Sequence, residues 1–424
     1  DKRIKVENSE IIQRVTARSD RNLYRASLLY LGQRDINLQK ANISNNEKLE
    51  IIYSQSKFRS PVMAVGRTLE ILNDISPDKI KSFTLKEVNG GLGMYEVNID
   101  RKSFERYSYL NSPELILNDL TVESFKYDDS SKGFEFNPKI KYPAYFGSFG
   151  PELRSQIGGP DGFFFGDLKI NHDSEILFKR NLSLISSLSY GVYDNMDELK
   201  LPSDSILPHV RTDIVQYLKQ SREFSIRRMQ LNSYHQLSKS IYLKLSGGIL
   251  ESMFNGYGFE WLYRPFEKNY GIGVEAWKVY QREYNQLFDQ RDYSTVTGHT
   301  TFYYHHPNSN ILFQLKGGRY LAEDSGFTFD ASRIFRSGLR IGAFFSLTDI
   351  SQEEFGEGSF DKGFYFWIPM DIFSNRYFKR NFGWGLRPLT RDGAQSVIHG
   401  YPLWGVTDIS NQNIFNRHRD DFFD

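Results

Sequence analysis

Residues 241–249 have the sequence Ile-Tyr-Leu-Lys-Leu-Ser-Gly-Gly-Ile, in which apolar side chains alternate with polar or small ones. Successive side chains of a β-strand point to opposite faces, so this pattern predicts a strand with one apolar and one polar face. The same period of two recurs through the second half of the chain, in residues 164–171, 257–264, 272–276, 311–316 and 339–347.

The alternating runs span about 9 to 14 residues, close to the ~9 to 11 that a tilted strand needs to cross a bilayer and longer than strands of soluble proteins. Turn sequences such as Asn255-Gly256 and Pro307-Asn308-Ser309-Asn310 separate them. Aromatic residues, which lipid head groups favour, crowd the ends of many runs, at 163–165, 190, 193, 302–304, 320 and 364–367. We therefore predict a mainly β fold, with a transmembrane antiparallel β-barrel of about twelve or more strands in residues 161–424. A soluble β-sandwich or propeller remains the alternative.

Composition excludes several classes of protein. Lys and Arg number 53 against 52 Asp and Glu, so the basic excess that would hold a nucleic-acid backbone is missing. The chain has no Cys, which excludes disulfides and thiolate metal sites. No stretch approaches the ~20 apolar residues of a membrane-spanning helix. Because residues 1–6 have no initiator Met and no signal sequence, we expect a mature or truncated product.

The first part of the chain has a different pattern. Apolar residues at helical spacing follow Ser9, and Ser60-Pro61 opens a second helical pattern with a cap and a first-turn proline. Asn89-Gly90-Gly91 predicts a hairpin turn. Residues 1–110 are therefore predicted to form a small α/β domain, placed in the periplasm. Residues 111–160, rich in Pro and Gly, are predicted to connect it to the barrel, with folding against or into the barrel as an open alternative.

The spacing of histidine and serine residues predicts neither a metal site nor a catalytic site. His305 and His306 are adjacent, so in a strand they point to opposite faces and cannot share one ion. No Gly-x-Ser-x-Gly motif occurs. We predict no metal, no cofactor and no enzymatic activity.

Charged and amide side chains on the polar strand faces would line the barrel interior if the apolar faces meet lipid. Such a surface, with Tyr and Trp nearby, suits a hydroxyl-rich and even charged polymer. The alternative is that these side chains pair with one another and plug the barrel. The candidate lumen and glycan-contact residues are Asp167, Lys169, Lys244, Glu260, Glu275, Gln314, Lys316, Asp330 and Arg340.

Several motifs resemble the YjbH family of outer-membrane proteins. The longest is Gly356-Glu357-Gly358-Ser359-Phe360-Asp361-Lys362-Gly363, and others of this kind occur in order at 57–61, 65–67, 149–154, 158–162, 192–195, 210–213, 253–256, 262–266, 290–293, 297–299, 317–322 and 387–393. The resemblance implies an outer-membrane lipoprotein that takes part in exopolysaccharide and group 4 capsule production. It supplies no catalytic residues. Family members extend well before the equivalent of Asp1, with another β-rich portion and a lipoprotein signal.

Three functions follow as hypotheses. The first is a barrel that assists secretion or surface assembly of a polysaccharide, in contact with outer-membrane lipid and with periplasmic export-machinery proteins. The second is a plugged barrel that anchors a periplasmic scaffold. The third is an envelope enzyme that modifies glycan or lipid.

Overall fold

A computed structural model describes residues 6–130, 132–159, 162–198, 205–220, 223–351, 360–374, 377, 379–387 and 392–423, with only the backbone of 155–159. Residues 160–161, 356–359 and 388–391, which belong to the family-like motifs, lie outside these ranges. Among the described helices, none has the length and apolar character needed to span a bilayer.

The first part of the chain is an α/β unit built on a five-stranded sheet. The strands lie in the order β1-β2-β3-β4-β5, with β2 and β3 parallel and the other pairs antiparallel. Its elements are α1 (Ser9–Thr16), α2 (Asp20–Gly32), β1 (Ile36–Ser44), β2 (Lys48–Gln55), α3 (Pro61–Ile75), β3 (Ser82–Asn89), β4 (Leu92–Asp100), α4 (Arg101–Leu110), α5 (Pro113–Asp119) and β5 (Thr121–Glu123).

Local signals of the sequence are confirmed in this unit. The Ser60 hydroxyl accepts a hydrogen bond from the Met63 amide at 3.1 Å and caps α3, whose first residue is Pro61. Gly90 and Gly91 have positive φ angles of 57° and 76° in the predicted β3–β4 turn. Helix α3 is buried almost throughout because it crosses between the parallel strands β2 and β3 and packs on the sheet.

The second part is one antiparallel sheet of thirteen strands, arranged in chain order. Its strands are β6 (Ala144–Gly159), β7 (Gly162–Lys179), β8 (Leu182–Asp194), β9 (Phe224–Ser238), β10 (Ile241–Ile249), β11 (Phe254–Tyr263), β12 (Tyr270–Arg282), β13 (Gln290–His306), β14 (Ile311–Arg319), β15 (Ser325–Ile334), β16 (Arg340–Thr348), β17 (Asp361–Pro369) and β18 (Asn381–Leu386), with helix α6 (Ile214–Gln220) before β9. The strand number agrees with the prediction of about twelve or more.

The sheet begins earlier than the sequence predicts. Strand β6 lies in the segment predicted to connect the two parts, and it pairs with β7 along most of its length. Pro151 and the glycines of this strand resemble loop residues, but β6 is the first strand of the sheet. An edge strand has a row of amides without partners, so it tolerates a proline.

The two faces of the sheet have opposite character. Large apolar side chains point outward and remain exposed, among them Leu245 (47%), Phe302 (46%) and Leu315 (46%). The opposite face carries charged and hydroxyl side chains that are buried, such as Lys244 and His299. The sheet therefore has an exposed apolar face and a buried polar face, the reverse of a soluble β-sandwich.

The first and last strands do not close the sheet in the described residues. Strands β6 and β18 form its two edges, and no ladder joins them. The edges are close at one point, where the Arg380 guanidinium, just before β18, lies 3.5 Å from the Ser148 hydroxyl of β6. The predicted continuous ring of strands is thus an open sheet here.

Residues 392–423, predicted as part of the barrel, form no strand. This C-terminal segment lies along the polar face of the sheet, and then reaches the α/β unit with helices α7 (Leu403–Val406) and α8 (Gln412–Arg417) and a final 3-10 turn, Arg419–Phe423. Phe415 packs edge-on against Tyr95 of β4, with ring centroids 4.9 Å apart. The segment lacks a period of two, which is why it does not join the sheet.

The α/β unit sits at one end of the large sheet. The Gln236 side chain at the end of β9 accepts a hydrogen bond from the Gly93 amide at 2.8 Å and donates one to the Phe125 carbonyl at 2.9 Å. At the β17–β18 turn, Arg59 contacts Asp371 at 3.3 Å. These contacts fix which end of the interior faces the α/β unit.

Candidate functional site

A row of charged side chains crosses the polar face of four neighbouring strands. Lys244 of β10 lies opposite Glu260 of β11, Glu260 opposite Glu275 of β12, and Glu275 opposite His299 of β13. All four point inward because their apolar sequence neighbours take the exposed face. Two carboxylates placed directly opposite each other repel, so the row requires a positive charge nearby, which Lys244 supplies beside Glu260.

His399 of the C-terminal segment supplies the central contact of this row. Its Nε2 atom lies 3.3 Å from a Glu260 oxygen and 3.2 Å from a Glu275 oxygen. The Lys244 ammonium lies 3.4 Å from Glu260 and 3.4 Å from Nδ1 of His399. His399 therefore bridges the two carboxylates and connects the C-terminal segment to the sheet.

Further hydrogen bonds fix the C-terminal segment in the interior. The Gly400 carbonyl accepts from the Lys244 ammonium at 2.7 Å, and the Leu403 amide donates to Glu260 at 3.0 Å. On the next part of the sheet, the Lys316 ammonium donates to the Ser396 hydroxyl at 2.7 Å. Buried polar groups are stable only when partnered, and here the segment provides the partners.

A cavity of about 430 Å³ remains between the segment and the sheet. Five predicted candidates line it: Glu260, Glu275, Gln314, Lys316 and Asp330. The structure brings them together with residues that were not among the predicted contact candidates, including Arg211, Asp361, Arg387, His399 and Trp404.

Two further predicted residues lie beside the cavity wall. Lys244 is in the charged row described above. Arg340 of β16 donates to the Ser332 hydroxyl at 3.0 Å and lies 3.9 Å from Asp330. The Tyr365 hydroxyl donates to Asp330 at 2.9 Å, so this carboxylate is held by a network of its own.

The remaining two candidates, Asp167 and Lys169, do not belong to this cavity. Both are buried on β7, where Asp167 pairs with Arg154 of β6 and lies 3.5 Å from Lys169. They form a separate ion-pair cluster near the first edge of the sheet, because β7 is three strands away from β10.

Trp404 is one of the aromatic residues that line the cavity, and both of its faces are occupied. The Tyr303 ring stacks on it with centroids 3.9 Å apart and an interplanar angle of 4°, and the Arg264 guanidinium lies 3.9 Å from the centroid. Because both faces of the Trp404 ring are covered, only the edge of the ring faces the cavity.

One group of side chains has the composition of a metal-ligand set. Ligand atoms of Glu260, Glu275 and His399 lie within 4.8 Å of one another, and no other such group occurs among the described residues. The adjacent Lys244 ammonium already neutralises part of their charge. Since an ammonium can only donate, a hydrogen bond to Nδ1 leaves the proton of a neutral imidazole on Nε2, where an ion would have to bind. The arrangement thus favours ion pairs over a metal.

The contribution of the C-terminal segment could not be predicted from local patterns. His399, Trp404 and Ser396 fall in residues that the sequence analysis assigned to strands. The only available signal was negative, since Gly393, Gly400 and Pro402 interrupt any alternation there.

Comparisons with known proteins bear on the identity of the chain. The profile of the YjbH family, described as "Exopolysaccharide biosynthesis protein YbjH", matches residues 3–409. A relative from Escherichia coli (strain K12), named "Uncharacterized lipoprotein YjbH", is 29% identical over 381 residues, which cover 87% of this chain and 53% of that protein. The chain thus spans about half the length of this relative.

Among solved structures, "Salmonella typhi OmpF complex with Daunomycin" aligns with 60% of this chain and 93% of its own, at 11% identity and a TM-score of 0.30. A TM-score of this size does not establish a common fold. The family profile, in contrast, covers almost the whole chain, including both sheets and most of the C-terminal segment. The chain therefore belongs to the YjbH family.

Proposed function

We propose that this protein is an outer-membrane β-barrel that assists the secretion or surface assembly of an exopolysaccharide or capsule. The observation that carries the proposal is the polarity of the thirteen-stranded sheet, which exposes its apolar side chains and buries its charged ones. An exposed apolar face of this extent is costly in water and favourable in hydrocarbon. Family membership supports the link to exopolysaccharide, and the name of the E. coli relative supports an envelope location.

The membrane arrangement follows from the contacts of the α/β unit. It covers the end of the sheet that holds the β9–β10 and β17–β18 turns, so we place this end in the periplasm. There the unit would meet proteins of the export machinery. The nearness of Arg380 to Ser148 supports edges that approach each other in the membrane, where unpaired strand edges are strongly disfavoured.

Within the barrel, the polar cavity is the proposed place of contact with the polymer. It offers carboxylate, ammonium, guanidinium and amide groups from Glu275, Lys316, Arg387 and Gln314, which together can hydrogen-bond sugar hydroxyls. These charged groups balance one another, so the site suits a chain of hydroxyl-rich sugars better than a strongly charged one. We propose a binding role without catalysis.

Deletion of the gene tests this function directly. We expect secreted or surface polysaccharide to fall and to recover on complementation with the intact gene. The full chain should also partition into detergent and show heat-modifiable mobility on gels, as membrane barrels do. Normal polysaccharide in the deletion strain would refute the role in secretion.

The plugged scaffold is the second candidate, and the C-terminal segment favours it. The segment fills much of the interior through contacts of His399, Gly400 and Leu403 with the sheet. Planar-bilayer recordings separate the two candidates, because a scaffold would not conduct whether or not polymer is present. Secretion predicts conductance that soluble exopolysaccharide blocks.

A further inference from the structure

The exterior of the large sheet has a recess with a defined polarity. It is an open hollow of about 520 Å³ on strands β9 to β13, lined by Ala276 and by Leu245, Phe259 and Val296. The hollow exists because two small residues of the outer face, Gly247 opposite Tyr257 and Ala276 opposite Phe259, interrupt the larger apolar side chains. The bordering side chains are exposed, so the recess is open from outside.

A single cation stands at one end of the recess. Lys278 lies two residues beyond Ala276 on β12, opposite Val296, and points to the same outer face. Its ammonium donates to the Ser294 hydroxyl at 3.0 Å and lies 5.2 Å from the Tyr280 ring centroid. Within the described part of the chain, no carboxylate forms an ion pair with it.

The neighbouring outward cation differs in this respect. Arg319 of β14 lies two strands from β12 and in line with Ala276 across the sheet. Its guanidinium pairs with the Glu323 carboxylate at 3.1 Å. Lys278 is therefore the cation of the recess that can contact an anionic ligand.

The polar and apolar groups along the recess follow the same order as the head group and the hydrocarbon of a lipid. From the end of the sheet remote from the α/β unit, Tyr280 and Ser294 come first, Lys278 follows, and the apolar floor at Ala276 lies toward the middle. A lipid in a bilayer has the same order, with an anionic head group at the surface and hydrocarbon beneath it.

We propose that this recess binds one membrane lipid with a phosphate head group, whose phosphate contacts Lys278 and whose acyl chain lies over Ala276. The inference rests on the proposed function, since it requires the outer face to lie in a bilayer. It adds a specific lipid site to a surface that would otherwise meet lipid without selection.

Native mass spectrometry of the full chain in detergent tests the site. We offer phosphatidylglycerol and, separately, a diacylglycerol with the same acyl chains, which lacks the phosphate. We expect one tightly retained phosphatidylglycerol per chain and about tenfold weaker retention of diacylglycerol, the ratio that one charge-assisted hydrogen bond supplies. Equal retention of the two lipids would overturn the proposal, as would retention of neither.

Two variants with matched controls locate the lipid. Lys278→Gln should reduce retention of phosphatidylglycerol about tenfold, whereas Lys362→Gln, at an exposed cation on the same outer face but outside this recess, should leave it unchanged. Ala276→Phe should fill the hollow and abolish retention, whereas Ala343→Phe, another outward alanine, should not. Equal effects of each variant and its control would contradict the site.

The result is separable from the test of the proposed function. A chain that is folded in detergent but retains no lipid refutes the recess alone. A chain that stays soluble without detergent refutes the membrane barrel itself.

Discussion

At Gly66, a single missing side chain allows the C-terminal segment to dock on helix α3. A Cβ atom at this position would lie 2.1 Å from the Phe422 carbonyl oxygen, so close that the backbone of one of the two segments would have to move. The resemblance to the YjbH family includes this glycine, in Val65-Gly66-Arg67. The structure supplies a physical reason for it, since the backbone of another element passes directly over the helix.

We therefore expect Gly66→Ala to displace the C-terminal turn although alanine favours helix by about 1 kcal/mol. The matched control is Gly32→Ala, at the end of helix α2, where no atom lies within 4 Å of the added Cβ. Thermal unfolding and limited proteolysis of residues 419–423 provide the measurement. Gly66→Ala should unfold at lower temperature and lose its C-terminus faster, and equal behaviour of the two variants would disprove the contact.

Lys244 is the lysine of the charged row, and both its burial and its charge matter to the row. It is fully buried, and its removal would leave Glu260 and Glu275 facing each other with less positive charge nearby. Lys244→Met should lower the free energy of unfolding by about 3 to 5 kcal/mol, the usual cost of an unpaired buried charge. Urea unfolding in detergent micelles measures it.

The control for this change is Lys239→Met, since Lys239 is exposed and lies 3.9 Å from Glu123. This variant should change stability by less than about 1 kcal/mol. The double variant Lys244→Met/Glu260→Gln should recover part of the loss because one of the two facing carboxylates is neutralised. Absence of any recovery would show that Lys244 acts through packing and not through charge.

At the scale of elements, a pH-sensitive contact fixes the described residues 205–220 of the loop between β8 and β9. His209 lies 2.8 Å from Asp213, which also accepts from the Tyr284 hydroxyl at 2.8 Å and from Arg291 at 2.9 Å. Burial alone would lower the pKa of His209, but the hydrogen bonds to Asp213 and to the Ser205 carbonyl outweigh burial and raise it.

A raised pKa in the folded state means that protonated His209 stabilises the loop. This contribution is complete below the unfolded pKa of about 6.5 and disappears as the pH rises through the folded pKa. We expect proteolysis of the loop to accelerate as the pH rises through this window. His209→Asn should cleave at a rate independent of pH there, and an unchanged pH dependence in that variant would assign the effect to another group.

The elements themselves were largely predictable from the sequence because their signals are local. The period of two in 241–249 and 339–347 identifies strands β10 and β16, and Ser60-Pro61 identifies the start of α3. Strand β6 was missed since Pro151 and its glycines have the composition of a loop. Only its pairing with β7, which is a non-local interaction, makes this segment a strand.

The candidate site was predictable only in part, for the same physical reason. Alternation shows that Glu260, Glu275 and Lys316 point to the polar face. It does not give the register that sets Glu260 opposite Glu275, nor does it place His399 between them. Asp167 has the same local pattern, yet it lies in another cluster because position across a thirteen-stranded sheet depends on strand order.

For the whole molecule, the decisive quantity is how firmly the C-terminal segment occupies the interior. The chain has no cysteine, so one introduced thiol reports on one place. Ser396 lines the cavity and differs from cysteine by one atom, which makes Ser396→Cys a suitable reporter. Thr407, fully buried farther along the segment, provides the control position as Thr407→Cys.

We expect His399→Ala to increase the rate of maleimide labelling at Ser396→Cys about tenfold, because the contacts of His399 with Glu260 and Glu275 are lost. Labelling at Thr407→Cys should stay slow in the same background, since that position is fully buried and its amide still donates to the Leu403 carbonyl at 3.0 Å. Mass spectrometry of timed samples gives both rates. Equal acceleration at the two positions would indicate general unfolding, and no acceleration at either would show that His399 does not hold the segment. A selective increase at Ser396→Cys would mean that the interior can open near the cavity while the end of the chain stays bound to the α/β unit. Passage of a polymer requires such an opening.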